Sequence, residues 1–154
     1  MYGLKYVGSM QTIGVQPMIR GGYKVKANTT ITKGDPVNID AGYINLAGGT
    51  ERILGVANET VVGNAAGTSK IDVIVAREGD LFLADNDNDG TTFAATHPGT
   101  YFDTTGTTGA VLVDTDSTST TGQLLAVQYN PQGYGVDSDT SVGLFTIAER
   151  QASI

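Results

Sequence analysis

Short apolar runs alternate with breaks that contain Gly, Asp, Asn or Pro over residues 30–86. The runs are rich in β-branched and aromatic side chains, and such runs between turn-forming residues predict strands joined by tight turns. The sequence therefore predicts antiparallel β-structure in this part of the chain. The predicted strands are residues 30–32, 37–39, 43–46, 53–57, 71–76 and 81–84.

The predicted strand at residues 71–76 is apolar on nearly both faces. Ile71, Val73 and Val75 share one face, and Ile74 lies on the other. A strand with this pattern is central in a sheet or covered on both sides. Because one domain has few ways to cover both faces, we expect the protein to self-associate when it is concentrated.

The second half of the chain alternates less regularly. Residues 77–80 predict a hairpin connection, because Gly79 permits a positive φ. Residues 91–122 are polar and rich in Thr, and they predict loops around one short strand. Residues 130–139 are too long for a tight turn and predict a projecting loop with an exposed Tyr134. The predicted strands of this half are residues 110–113, 123–129 and 142–148.

Residues 1–22 predict an extended N-terminal arm in front of a β domain at residues 23–154. Gly repeatedly interrupts the apolar residues of the arm, so no continuous strand period is present. An arm that carries apolar side chains but cannot fold alone usually seeks a surface. That surface is either a neighbouring chain or, as the alternative, the sheet of its own domain. Deleting residues 1–16 is expected to leave the fold intact and to weaken attachment to the neighbour.

The composition favours a single all-β domain. A chain of 154 residues can bury one sizeable core, and 21 Gly suit strands and turns better than helices. We therefore predict a single compact antiparallel β-sandwich or barrel-like domain. The chain has no Cys, which excludes disulfides, thiolate metal sites and thiol nucleophiles.

The net charge of -7 and the pI near 4.4 argue against a nucleic-acid surface, which needs clustered cations. The same sign disfavours anionic membranes. No apolar stretch approaches the roughly 18 residues of a membrane span, and the N-terminus lacks the pattern of a signal peptide. We expect synthesis in a cytoplasm, without export through a signal peptide, and neither a nucleic-acid nor a membrane partner.

One motif resembles part of a metal site. Asp85, Asp87 and Asp89, followed by Gly90, form the first half of a calcium loop. The twelfth position of such a loop is a bidentate Glu, whereas this chain has Thr96 there. The preferred interpretation is an Asp- and Asn-rich turn between strands, and a structural calcium ion is the alternative.

Catalytic motifs are absent from the sequence. His97 is the single His and lies in a polar segment beside Pro98. No Gly-x-Ser-x-Gly elbow and no Gly-rich phosphate-binding motif accompanies it. The sequence therefore predicts that the protein is not an enzyme, with no catalytic or metal-binding residues and no cofactor.

Five short motifs occur in order at residues 2–9, 34–37, 53–57, 80–82 and 143–149: Tyr-Gly-Leu-Lys-Tyr-Val-Gly-Ser, Gly-Asp-Pro-Val, Ile-Leu-Gly-Val-Ala, Asp-Leu-Phe and Gly-Leu-Phe-Thr-Ile-Ala-Glu. Together they resemble a family of tailed-bacteriophage capsid decoration, or head cement, proteins. The resemblance implies a virion protein on the exterior of an icosahedral head, typically a homotrimer. It also implies the major capsid protein as partner, often contacted through an N-terminal arm. The Thr-rich segment matches least.

The N-terminal segment supplies most candidate capsid-contact residues. Its apolar side chains are expected to be buried against a neighbour, with Lys5 meeting carboxylates, and Tyr134 adds a loop contact. A carbohydrate-binding β module, calcium-dependent through Asp85, Asp87 and Asp89, stays open as the alternative function. The candidate contact residues are Leu4, Lys5, Tyr6, Val7, Met10, Ile13 and Tyr134.

Overall fold

The computed structural model describes residues 2–11, 14–87, 92–129, 131 and 141–152. Within these ranges the chain forms strands and turns and no helix, so the all-β prediction is confirmed. The strands are β1 (Lys5–Ser9), β2 (Ile19–Lys24), β3 (Thr30–Ile31), β4 (Pro36–Asp40), β5 (Tyr43–Leu46), β6 (Gly55–Ala57), β7 (Val61–Val62), β8 (Lys70–Val75), β9 (Asp80–Asp85), β10 (Tyr101–Thr105), β11 (Leu112–Ser119), β12 (Leu124–Tyr129) and β13 (Val142–Ile147).

The strands form three antiparallel sheets. A six-stranded sheet has the order β1-β9-β13-β12-β10-β11, and a five-stranded sheet has the order β2-β8-β6-β4-β5. The third sheet is the short pair β3-β7. The two edges of the five-stranded sheet approach each other at a parallel bridge between Val25 and Ile44, so this sheet curls toward a barrel.

The main core lies between the six-stranded and the five-stranded sheets. Phe82 and Phe145 contribute to it from the first sheet, and Val56 contributes from the second. Phe102 meets Phe145 edge to face with ring centroids 6.2 Å apart, an arrangement that aromatic pairs prefer. The large buried rings therefore hold the two layers together.

Two further clusters cover the other faces of the sheets. Val37 and Val73 belong to a cluster enclosed by the curled five-stranded sheet. Leu83 and Leu144 belong to a smaller cluster on the opposite face of β9 and β13 from Phe82, as the two-residue period of strands requires. The neighbouring strands β9 and β13 are therefore buried on both faces along nearly all of their length.

The strand at Lys70–Val75 is buried on one face and partly covered on the other by its own chain. Ile71 and Val73 are buried inside the curled sheet, and Ile74, which is half-buried, packs against the main core from the other side. The expectation of self-association depends on a second face that lacks a cover. Because that face is partly covered within the chain, self-association stays a prediction.

The turn at residues 77–80 does not form a hairpin. Gly79 has a positive φ of 82° as expected, but β8 and β9 belong to different sheets. The turn carries the chain from one layer to the other, with the Asp80 N–H donating to the Arg77 carbonyl oxygen at 3.2 Å. A true two-residue hairpin joins β4 and β5, and there Ala41 and Gly42 both have positive φ.

The N-terminal segment is not a free arm in this structure. β1 pairs with β9 as an edge strand of the six-stranded sheet, and β2 pairs with β8 in the five-stranded sheet. The alternative of docking on the chain's own sheets is what the structure shows. A register shift between Tyr6 and Gly8 interrupts the two-residue period, and this bulge hid the strand in the sequence.

The Thr-rich stretch contains more structure than the sequence indicated. β11 runs well beyond the predicted residues 110–113, and its partner β10 begins at Tyr101. The loop between them is anchored because Thr108 and the Gly109 N–H both donate to the buried Asp35 carboxylate. Asp35 also accepts from the Thr32 N–H at 2.9 Å. The carboxylate thereby ties this loop to the turn before β4.

Candidate functional site

An open groove of about 400 Å³ runs beside the edge strand β1, where the six-stranded and five-stranded sheets meet. We call it the edge groove. Its buried and half-buried lining consists mainly of apolar residues: Leu4, Tyr6, Pro17, Val56, Ala57 and Ile74. Its remaining lining residues are Tyr2, Lys5, Lys33, Gly34 and Asn58.

The start of β1 is fixed along this groove by backbone contacts with two loops. The Gly3 N–H donates to the Val111 carbonyl oxygen at 2.9 Å, and the Leu4 N–H donates to the Gly34 carbonyl oxygen at 2.8 Å. A Cβ on Gly3 would lie 2.6 Å from the Gly34 carbonyl oxygen, and the φ of Gly3 is +78°. Only Gly allows this close approach, so the wall of the groove is a defined backbone arrangement.

Tyr6 links β1 to the segment that leads into β2. Its hydroxyl donates to the Val15 carbonyl oxygen at 3.0 Å, and its ring meets Phe82 edge to face with centroids 5.7 Å apart. Burial raises the pKa of the Tyr6 phenol, the Asp80 carboxylate adds to the rise, and Arg77 opposes it. The neutral, hydrogen-bonding form is therefore favoured.

A partly buried ion pair lies next to this tyrosine. Arg77 Nε and Nη2 donate to the two carboxylate oxygens of Asp80, each at 3.1 Å, and Asp80 is buried. The hydrogen bond to Asp80 raises the pKa of Arg77. Nη2 also donates to the Gln16 carbonyl oxygen at 2.7 Å. The pair thus fastens the segment before β2 against the turn at residues 77–80.

The charges of the edge groove differ from those of the whole chain. Lys5 and Lys33 line it, and both are exposed. No Asp or Glu is among the lining residues within the described part of the chain, although the whole chain has 16 Asp and Glu against 9 Lys and Arg. The groove therefore joins an apolar surface to positive charge in an acidic protein.

Three of the predicted contact residues, Leu4, Lys5 and Tyr6, line this groove. Leu4 is 4% exposed and belongs to the main core, so its predicted burial against a neighbour is wrong. Val7 packs against the small cluster on the far face of the six-stranded sheet. Met10 is 54% exposed.

Two predicted contact residues, Ile13 and Tyr134, lie outside the described residues, as does most of the loop at residues 130–139. The sequence reasoning missed Lys33, Val56 and Ile74 as groove residues. Ile74 had a usable signal, because it lies on the second apolar face of the strand at Lys70–Val75.

The calcium motif is described only in part, because Asp89 and Gly90 lie outside the described residues. The carboxylate of Asp87 accepts a hydrogen bond from the Thr115 hydroxyl at 3.1 Å, which connects the end of β9 to β11. Within the described part of the chain, no group of three or more His, Asp or Glu is placed to hold a metal.

The side chain of His97 packs against neighbouring residues of the fold. The Ala94 N–H donates to its Nδ1 at 3.1 Å, and its ring lies edge to face against Phe93 and Phe102. These contacts close the loop before β10 over the main core.

A second groove, of about 300 Å³, is polar. Its lining residues include Gly48, Gly49, Thr104 and Thr105. None of the described lining residues is aromatic. Stacking surfaces for sugar rings are therefore missing from this groove, and no feature of it favours the carbohydrate-binding alternative.

Comparison with protein-family models, with curated proteins and with solved structures finds no match for this chain. Among the described residues there is also no helix with the length and apolarity to cross a membrane. The function must therefore be argued from the edge groove and the sequence motifs.

Proposed function

We propose that this protein is a structural component of a virion that decorates and stabilises an icosahedral head by binding the outside of the major capsid protein lattice. The proposal places it on the capsid exterior after synthesis in the host cytoplasm. It acts as a homo-oligomer, with a trimer as the expected form. It has a mechanical role and no catalytic one.

The edge groove is the observation that carries this proposal. It combines an apolar lining with exposed Lys5 and Lys33, and apolar grooves with a few polar groups are typical of binding sites. It lies beside the edge strand β1, whose outer backbone groups are a template for strand addition. The motif at residues 2–9, the first to suggest the decoration-protein family, forms one wall of the groove.

Binding through several copies of the groove would let the protein stabilise a lattice. A groove of this size makes a modest contact in each copy, but copies joined in an oligomer bind a repeating lattice with avidity. The half-buried Ile74 of β8 lines the edge groove, so the oligomer contact is expected at other, exposed apolar side chains. Among these, Ile19 is 43% exposed and Ile39 is 37% exposed. Light scattering across a hundredfold dilution checks the expected mass.

The test of the proposal is binding to undecorated heads of a tailed phage, followed by electron microscopy of the decorated particles. Wild-type protein is expected to add density to the head exterior. Tyr2→Asp alters an exposed groove residue, and we expect its affinity for heads to fall at least about tenfold, since interfacial Tyr residues often contribute more than 1 kcal/mol.

Val62→Asp is the matched control for Tyr2→Asp. Val62 is 69% exposed and Tyr2 is 63% exposed, and Val62 does not line the edge groove. Equal loss in both variants would show that the groove is not the attachment site. Failure of wild-type protein to bind heads, combined with retention on immobilised glycans that a chelator abolishes, would favour the carbohydrate-binding alternative.

A further inference from the structure

The edge groove presents positive charge as well as apolar surface. Acidic side chains outnumber basic ones 16 to 9 in the chain, yet the described residues of the lining include two Lys and no Asp or Glu. Neither Lys5 nor Lys33 forms an ion pair with another described residue. Both ammonium groups are therefore available to a ligand, and they give the groove a local positive charge in a protein whose net charge is -7.

The apolar lining sets the second requirement. Val56 is buried, and Ile74 is half-buried on the face of β8 that looks toward the main core. An aliphatic or aromatic side chain placed over Ile74 would remove apolar surface from water, which favours binding. A purely charged ligand would leave this surface uncovered, so it does not fit the whole groove.

The groove also contains the polar side chain of Asn58. Asn58 lines it and is half-buried, and its backbone N–H is already used by the Asp72 carbonyl oxygen. Its side-chain amide can donate to an acceptor and accept from a donor. That pairing suits the backbone of an extended peptide better than it suits a rigid small anion.

We propose that the edge groove binds an extended peptide segment of the partner in which a carboxylate lies within one or two residues of a large apolar side chain. The carboxylate meets Lys5 or Lys33, and the apolar side chain lies over Ile74 and Val56. This inference rests on the proposed function, because it specifies which kind of capsid segment the groove accepts. Nucleic acid carries suitable anions, but the net charge of -7 repels a polyanion.

The direct test uses the full-length, isotopically labelled protein and two synthetic peptides. The first is acetyl-Gly-Val-Asp-Phe-Glu-Val-Gly-amide, and the second has Asn and Gln in place of Asp and Glu. We expect the acidic peptide to bind about tenfold more tightly and to shift the amide resonances of Lys33, Asn58 and Ile74. At about 1 M salt, where the screening length falls to roughly 3 Å, the difference should largely disappear.

Variants that remove single positive charges test which Lys residues cause the difference in affinity between the two peptides. Lys33→Gln and Lys5→Gln are each expected to weaken binding of the acidic peptide by about threefold to tenfold and to leave the neutral peptide unchanged. Lys24→Gln is the matched control, because Lys24 is exposed on β2 and does not line the groove. All three positions are exposed, so the variants should fold normally. Equal binding of both peptides, or an equal loss in Lys24→Gln, overturns the inference.

Binding to heads separates this inference from the proposed function. If wild-type and Lys33→Gln proteins decorate heads equally well, the charge requirement is wrong although the function stands. If the acidic peptide binds selectively but wild-type protein does not bind heads, the recognition chemistry stands and the capsid partner is wrong. Selective peptide binding together with weaker decoration by Lys33→Gln supports both.

Discussion

At the scale of single residues, two positions require Gly for different physical reasons. Gly55 in β6 has no space for a side chain, because a Cβ there would lie 2.0 Å from the Ile74 carbonyl oxygen. Gly42 in the β4-β5 turn faces open space but has a φ of +86°. The first requirement is steric and the second is conformational.

These reasons predict different costs for substitution by Ala. Gly55→Ala is expected to lower the free energy of unfolding by about 2 to 4 kcal/mol, since β8 must move away from β6. Gly42→Ala is expected to cost about 1 to 2 kcal/mol, the penalty for a left-handed residue with a Cβ. Urea unfolding of the two variants measures both values, and equal costs would contradict the steric argument.

Tyr6 gives a prediction that depends on pH. Its pKa is raised above the usual value of about 10, chiefly by burial. The folded state therefore holds the phenolic proton more tightly than the unfolded state does. The stability that this provides is complete below the unfolded pKa and is lost as pH rises through the folded pKa.

Tyr6→Phe removes this titration together with the hydrogen bond to Val15. We expect the variant to be about 1 kcal/mol less stable than wild type near neutral pH. The difference should start to shrink only as the pH rises above about 10, because only wild type then loses the tyrosine contribution. Tyr2→Phe, at a side chain 63% exposed, controls for removal of a tyrosine. A difference that stays constant with pH would contradict the assignment.

At the scale of elements, strands with a clear two-residue period were predictable and their partners were not. The runs at Tyr43–Leu46 and Asp80–Asp85 stand out because Gly, Asp and Asn close them. The order of the sheets depends on pairings between distant segments, such as β1 with β9, and local patterns do not encode them. Gly79 illustrates the limit, since its positive φ suits a hairpin and a crossover between layers equally well.

The candidate site was also predictable only in part. Leu4, Lys5 and Tyr6 were selected because they formed an apolar and basic segment near the N-terminus, and they do line the edge groove. Ile74 and Lys33 complete the groove from two other segments, and only the fold brings them together. The strand β11 was predicted too short for a related reason, because its buried Thr115 has the character of a loop residue in the sequence.

The docking of β1 reverses the expected effect of changing the N-terminal segment. Leu4 is 4% exposed in the main core, whereas Met10 is 54% exposed. We expect Leu4→Ala to lower the free energy of unfolding by about 2 to 4 kcal/mol, through lost burial and a cavity. Met10→Ala should change it by less than about 0.5 kcal/mol.

Thermal and urea unfolding of both variants check this prediction. Deletion of residues 1–16 should likewise destabilise the fold rather than leave it intact, because it removes β1 and uncovers Phe82. A near-neutral Leu4→Ala variant would show that β1 contributes little to the core and would restore the picture of an arm.

At the scale of the whole molecule, one polar side chain joins the two layers of the fold. Gln123 is fully buried. Its Oε1 accepts from the Thr104 N–H at 2.8 Å and from the Thr104 hydroxyl at 2.9 Å. Its Nε2 donates to the Gly48 and Glu51 carbonyl oxygens, each at 2.6 Å. The side chain therefore connects the six-stranded sheet to the loop between β5 and β6.

Replacing this side chain tests how the layers depend on each other. Gln123→Leu has a similar size but removes the partners of the Glu51 carbonyl oxygen, the Thr104 N–H and the Thr104 hydroxyl, whereas the Gly48 carbonyl oxygen still accepts from the Glu51 N–H. Each unsatisfied buried group costs about 1 to 3 kcal/mol, so we expect a loss of about 3 kcal/mol or more. Gln128→Leu, at an exposed position of β12, should change stability by less than about 0.5 kcal/mol.

The shape of the unfolding curve decides whether the two layers form one cooperative unit. If they do, Gln123→Leu shifts the urea midpoint and leaves the slope of free energy against urea unchanged, because the same surface is exposed on unfolding. Far-ultraviolet circular dichroism and tyrosine fluorescence should then report one transition. A shallower slope or two separated transitions would contradict this expectation. In that case the layers unfold separately, and Gln123 couples them instead of only adding to the stability of a single core.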